Sequence, residues 1–281
     1  MFKPTPYKIS TITATGSVNS LINLDVFYEN VAINPSGVVY IEYGQNKSEM
    51  TSRGTNKVSK GAKKKKDTKR FDNQVTCLVA NGTGVANVKV FKNGQIQMTG
   101  IREVDQGRAI IDCIIANLRD IYNRGYSNIV ATYNSLINCN YKIRLINSDF
   151  RIGIEIRRDR LNRLIQNTFD VLSSFEPCIY PGVKIQYFWN NAHMEKNGIC
   201  KCCSECNGKG DGHGDGECKK ITIAVFQSGC IIITGAQTML QINDAYEFIC
   251  NVIKNHREEI EKIPIKPTTP RRRATSVLPR G

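Results

Sequence analysis

Five of the chain's eleven cysteines, Cys200, Cys202, Cys203, Cys206 and Cys218, fall within 19 residues. Cys200-x2-Cys203 and Cys203-x2-Cys206 both have the spacing at which two thiolates grip one tetrahedral metal ion, and Cys218 can close the site from across the loop. Cys200, Cys203, Cys206 and Cys218 are expected to hold one structural zinc, with Cys202 or His213 as substitutes. The alternative is a glycine-rich loop carrying free thiols. No other cofactor is called for. A metal centre for hydrolysis or deamination would need an open coordination position and a general base beside it. The chain has only His193, His213 and His256, and no H-x-E followed by P-C-x-x-C. It is not expected to be an enzyme.

The element that follows these cysteines is the clearest in the chain. Ile221, Ile223 and Val225 alternate with Thr222, Ala224 and Phe226, the period of a strand. Ser228-Gly229 reads as a two-residue turn, and Cys230 to Thr234 as a second strand. Ala245, Tyr246, Phe248, Ile249, Val252 and Ile253 then recur at helical spacing, an apolar stripe to lie against the hairpin. If Ile221, Ile223, Val225, Ile231 and Ile233 face that helix, the opposite side carries Thr222, Ala224, Phe226, Cys230, Ile232 and Thr234. A half-exposed sheet should be polar there. This one is largely apolar, so something covers it.

The same pattern stands earlier. Phe91, Asn93-Gly94, Thr99-Gly100 and the helical positions Ile110, Ile111, Cys113, Ile114 and Leu118 each precede their counterparts by 135 residues, and Tyr7-Lys8-Ile9 precedes Tyr141-Lys142-Ile143 by 134. This is an internal duplication. The unit resembles the core of the TATA-box-binding protein family in four phrases: Phe226-Gln227-Ser228-Gly229, Thr234-Gly235-Ala236, Phe175-Glu176-Pro177-Cys178-Ile179-Tyr180-Pro181-Gly182 and Lys69-Arg70-Phe71. The resemblance implies an α+β fold, a duplicated saddle with a curved antiparallel ten-stranded sheet and helices on its convex face. It also implies a DNA minor groove under the concave face, with Phe71, Phe91, Tyr180 and Phe226 as wedges between base steps. Thr99, Thr234, Lys89, Gln97 and Ile232 lie on the same face. Implied partners are double-stranded DNA, transcription-factor-IIB-like and IIA-like proteins and the RNA polymerase machinery. Gln95, Cys230 and Gln186 stand where the family has basic residues, and Lys8 with Leu145 or Asn147 where it has asparagine, which bears on strict TATA selectivity. A scaffold that has lost tight DNA binding is the rival reading.

The rest of the chain fits around this duplication. Residues 1–122 are expected to form the first repeat, 123–140 a linker, and 141–257 the second repeat with a cysteine-rich insert at 190–218. Residues 258–281 read as a basic disordered tail, where Arg271 to Ser276 resembles a basic-directed kinase site. Residues 45–69, with Lys57, Lys60, Lys63, Lys64, Lys65, Lys66 and Lys69, read as a structureless insert in the first repeat. A net charge of +14 favours a polyanionic partner. No apolar run approaches a membrane span and none follows the N-terminus as a signal would, so no membrane is expected and the thiols should be reduced. The nucleus is the expected location, or a cytoplasmic replication and transcription site or the virion if the source is a large DNA virus, which the inserts would suit.

The duplication also lets each half be compared with itself. On the face opposite the core, Thr222, Ala224, Cys230, Ile232 and Thr234 of the second repeat match Asn87, Lys89, Gln95, Gln97 and Thr99 of the first. The halves are expected to contribute unequally.

Overall fold

The computed structural model describes residues 2–46, 49–55, 73–82, 84–202, 206 and 208–263. Eleven strands form one antiparallel sheet: β1 (Lys8–Ser17), β2 (Val38–Asn46), β3 (Glu49–Gly54), β4 (Gln74–Ala80), β5 (Val85–Phe91), β6 (Gln95–Ile101), β7 (Cys139–Arg151), β8 (Ser173–Ser174), β9 (Val183–Trp189), β10 (Lys219–Val225) and β11 (Cys230–Ala236). Their order across the sheet is β3-β2-β4-β5-β6-β1-β7-β11-β10-β9-β8. Without β3 this order is a palindrome of two five-stranded halves meeting at β1 and β7. The fold is the duplicated saddle that the resemblance implied.

The hairpin registers show how closely the duplication is kept. In β5–β6, Asn87 faces Thr99, Val88 faces Met98 and Lys89 faces Gln97. In β10–β11, Thr222 faces Thr234, Ile223 faces Ile233 and Ala224 faces Ile232. Each pair is the other shifted by 135 residues. Both hairpins turn through three residues with a left-handed glycine at the end, rather than the two read from the sequence. Gly94 N–H donates to the Phe91 carbonyl at 2.9 Å and Gly229 N–H to that of Phe226 at 3.0 Å. Both glycines have positive φ, 79° and 73°, the form in which a three-residue hairpin closes on a bulge. A Cβ on Gly94 would stand 2.1 Å from the Ser20 carbonyl oxygen, and one on Gly229 2.2 Å from that of Ile154.

All helices among the described residues pack on one face. α2 (Val104–Asn123) buries Ile110, Ile111, Ile114, Leu118 and Ile121, and α4 (Met239–Asn255) buries Ile242, Ala245, Ile249, Val252 and Ile253. They meet Val88, Met98, Ile223, Ile233 and their neighbours, all fully enclosed; each such side chain contributes about 1.5–3 kcal/mol. Even the helix starts repeat. Gln106 Oε1 accepts from Arg102 N–H at 3.0 Å and Gln241 Oε1 from Gln237 N–H at 2.7 Å, each fixing the residue that precedes its helix's cap. The shorter α1 (Leu24–Asn30) and α3 (Arg158–Asn167) occupy equivalent places in the two halves.

Three expectations need correction. The sheet has eleven strands among the described residues, not ten. The additional one, β3, comes from the segment read as structureless: it pairs with β2, Ile41 facing Arg53, and Arg53 also donates to the Glu29 carbonyl at 2.8 Å and the Val31 carbonyl at 3.2 Å. Its Glu-Met-Thr-Ser-Arg-Gly sequence has no apolar alternation, because an edge strand can be held by main-chain bonds and one long side chain. The packed chain also continues past residue 257. α5 (Arg257–Ile260) buries Ile260, and Arg157 N–H donates to its carbonyl at 2.8 Å. One isoleucine was too short a signal to show the turn. The lysine run at 57–69 and the basic string at 271–276 lie outside the described residues.

Candidate nucleic-acid interface

The face that carries no helix among the described residues is built from alternate residues of its strands. In the second half one row runs Gln186, Thr222, Thr234 and the next Lys184, Ala224, Ile232, Asp149. In the first half the equivalent rows are Leu78, Asn87, Thr99 and Thr76, Lys89, Gln97, Thr15. Thus Thr99, Thr234, Lys89, Gln97 and Ile232 all lie on this face. The middle is β1 against β7, where Thr11 faces Asn147 and Thr13 faces Leu145. These two pairs exchange under the duplication. Asn147 Oδ1 is buried without a hydrogen-bond partner among the described residues. Lys8 lies away from this centre, at the start of β1 opposite Asp149, its side chain 79% exposed and 3.8 Å from that carboxylate.

Phe226 sits where β10 runs into its turn. Tyr180 meets it with ring centroids 5.7 Å apart. The loop before β9 places Tyr180: its N–H donates to the Glu176 carbonyl at 2.8 Å, and a Cβ on Gly182 would strike both rings, at 2.9 and 3.2 Å. Arg158, at the start of α3, grips the same loop. It donates to the Pro181 carbonyl and to Gln227 Oε1, the latter at 3.3 Å, and lies over the Phe175 ring at 4.9 Å. Lys184 Nζ stands 4.3 Å over Tyr180. Phe91 is half-buried at the matching place in the first half; Phe71 lies outside the described residues.

Phe188, on the same face near the far end of β9, carries the cysteine cluster. Cys200, Cys202, Cys206 and Cys218 bring their sulfurs within 4.8 Å of one another. Cys200 to Cys206 is 3.7 Å and Cys218 to Cys200 is 3.8 Å, and tetrahedral zinc with ~2.3 Å bonds holds its sulfurs ~3.8 Å apart. The donor set fits a metal ion. Cys203, which the spacing favours, lies outside the described residues; Cys202, expected only as a substitute, is in the cluster. Gly210 N–H donates to the Cys206 sulfur at 3.3 Å. Burial pushes the Cys218 thiol up, its thiol neighbours adding to this. Burial would raise Cys206 too, but the Gly210 N–H and the other thiols bring it below its ordinary value. The insert is fastened to both strands that it interrupts: Phe188 N–H donates to the Gly198 carbonyl at 2.9 Å and Lys220 N–H to that of Gly210 at 2.7 Å.

The sequence pointed to the hairpin residues, but not to Thr11, Thr13, Thr15 or Asp149. Their signal was present in the alternation Thr11-Ile12-Thr13-Ala14-Thr15, whose apolar members are buried. No helix among the described residues is long and apolar enough to cross a membrane.

A sheet with helices on one side and a partly apolar face, uncovered by helices among the described residues, on the other, built twice from one unit, defines a class of duplicated saddle proteins. Residues 215–256 match the model of the family described as transcription factor TFIID, or TATA-binding protein. A TATA-box-binding protein-like protein of Acanthamoeba polyphaga mimivirus is 31% identical over 272 residues, spanning 92% of this chain and 68% of the relative. The solved structure of Methanococcus jannaschii TBP shares the fold with a TM-score of 0.53 at 16% identity, covering 89% of this chain and 99% of that one. The chain belongs to the TATA-box-binding protein family, a family of transcription factors rather than enzymes.

Proposed function

We propose that the chain is a general transcription initiation factor that binds AT-rich promoter DNA in the minor groove through the helix-free face and bends it. In this reading α2 and α4, on the other face, present surfaces to transcription-factor-IIB-like and IIA-like proteins and to the RNA polymerase machinery. The observation that carries it is the placement of Tyr180 and Phe226 together at one end of an open face whose neighbouring positions are Ala224 and Ile232. An apolar surface suits a groove with few hydrogen-bonding groups. Two aromatic rings at its end suit insertion into a base step, for which this family is the standard case. Phe71 and Phe91 would do the same in the first half. Energy transfer between dyes at the two ends of an AT-rich duplex should rise on binding. A bound duplex that stays straight would remove the wedge model.

The rival reading, a scaffold with weakened DNA binding, draws on Gln95 and Cys230 at turn positions where the family is basic. Failure to bind any duplex while partner binding persists would favour it. We also assign one structural zinc to Cys200, Cys202, Cys206 and Cys218, with Cys203 as an alternative ligand. Elemental analysis of protein purified without chelator should find about one zinc per chain; none, with all thiols titratable, would refute it. A viral source, in keeping with the mimivirus relative, would put the protein at a cytoplasmic transcription site or in the virion; a cellular source, in the nucleus. Fluorescence microscopy of the tagged chain in its host distinguishes these locations.

A further inference from the structure

An acidic side chain stands on the face just assigned to a polyanion. Asp149 of β7 continues the row Lys184, Ala224, Ile232, and its side chain is 33% exposed. The Ser10 hydroxyl donates to Oδ1 at 2.9 Å, and Lys8 Nζ lies 3.8 Å from Oδ2. That ion pair is a weak reason for the residue. Lys8 is almost free in solvent, and such pairs are worth at most about 1 kcal/mol.

The duplication supplies the comparison. Asp149 pairs with Ile232 and Lys8; Thr15 pairs with Gln97 and Lys142, the equivalent residues of the other half. Arg144 Nε donates to Thr15 Oγ1 at 2.9 Å, just as the Ser10 hydroxyl donates to Asp149. One unit thus presents a hydroxyl beside an arginine, and the other a carboxylate, at the same place on the face.

A carboxylate only accepts hydrogen bonds. The minor-groove edges of A·T and T·A carry only acceptors, and the single donor in that groove is the guanine N2 amino group. We propose that Asp149 is a specificity-determining residue that selects one G·C pair, at a fixed position on the second-repeat side of the site, by accepting from guanine N2–H. Its lone pairs beyond those used by Ser10 and Lys8 are available for this. The site recognised is then asymmetric: A·T-rich, with guanine at one step and no counterpart under Thr15. This rests on the minor-groove reading above.

The test is selection of bound sequences from random duplexes by the full chain, followed by affinity measurements on the selected duplex. Replacing its guanine by inosine removes the N2 amino group and keeps the pairing. Wild type should select one G·C pair at a fixed offset, and inosine should weaken binding about tenfold. Asp149→Thr, which copies the equivalent residue of the first half, should bind guanine and inosine duplexes alike. Thr15→Asp should add a second guanine preference at the symmetric position, a gain that damage to the fold cannot imitate. Tight, bent binding to A·T duplexes with G·C disfavoured throughout would overturn the proposal while leaving the DNA reading intact. So would unchanged discrimination in Asp149→Thr. Binding to no duplex at all would overturn both.

Discussion

Ala224 faces Ile232 across one hairpin; Lys89 faces Gln97 at the same place in the other. Beneath them the buried pairs are nearly interchangeable, Ile223 with Ile233 and Val88 with Met98, all fully enclosed. The two halves therefore share a core and a register but not a surface. Packing constrains the buried side, where any change of volume is felt. The open side answers only to what binds there, and the same backbone can carry two chemistries. The ends differ as well. In the second half Phe188 is covered by the cysteine insert, whereas in the first Leu78 and Val85 line, among the described residues, an apolar cleft of about 340 Å³ with Ile33, Pro35 and Val39.

The largest effect should come from the feature that only one half has. Cys206 and Cys218 are fully buried against Phe188. Cys218→Ser should abolish the zinc binding proposed above, cost on the order of 4 kcal/mol, and open the insert at 190–217 to protease while the β5–β6 hairpin and α2 stay resistant. Retention of both metal and resistance would show that the insert packs without it. Next come the cores. Ile233→Ala and Met98→Ala remove equivalent, fully enclosed side chains, and each should cost about 2–5 kcal/mol in denaturant unfolding. A difference of several kcal/mol between them would break the claim that the halves are equal beneath the surface.

The ease of reading these parts from sequence followed the same division. The two hairpins and their helices repeat phrase for phrase, because buried alternation leaves a period in the sequence. β3 left none, since its pairing uses main-chain groups and Arg53 reaches back to α1. The part taken by Cys202 was equally hidden: spacing names candidates, but the loop's path decides that its sulfur joins those of Cys200, Cys206 and Cys218. Asp149 could not be valued before its row was known, because a lone acid in a strand says nothing of its neighbours.

A smaller effect should separate the aromatic pairs. Phe226 borders Ala224 and Ile232, while Phe91 borders Lys89 and Gln97. Leaving a guanine amino group unpaired against apolar side chains costs about 1–3 kcal/mol; a glutamine can instead offer it an acceptor. Phe226→Ala should therefore relax the preference for A·T more than Phe91→Ala does, measured as the affinity ratio between an A·T duplex and one with G·C at the step under Ala224–Ile232 or under Lys89–Gln97. Equal relaxation by both variants would make the two surfaces functionally alike despite their composition.

The smallest change tests charge alone. Lys89 projects from the helix-free face of β5 opposite Gln97, at the position that Ala224 occupies in β10. A lysine cannot donate usefully to a groove and reach a phosphate at once, and its long stem favours the phosphate. If it does so, it displaces about one counterion, and the slope of log K against log salt carries about 0.9 from it. Lys89→Ala should then weaken binding by a similar factor on every sequence and shallow that slope by about one. Ala224→Lys should steepen it by about as much and blunt the second half's sequence preference, since the apolar Ala224–Ile232 pair that rejects guanine would be interrupted. If Lys89→Ala instead changes which sequences bind while the slope stays fixed, the lysine reads bases, and the division between an affinity half and a selectivity half is wrong.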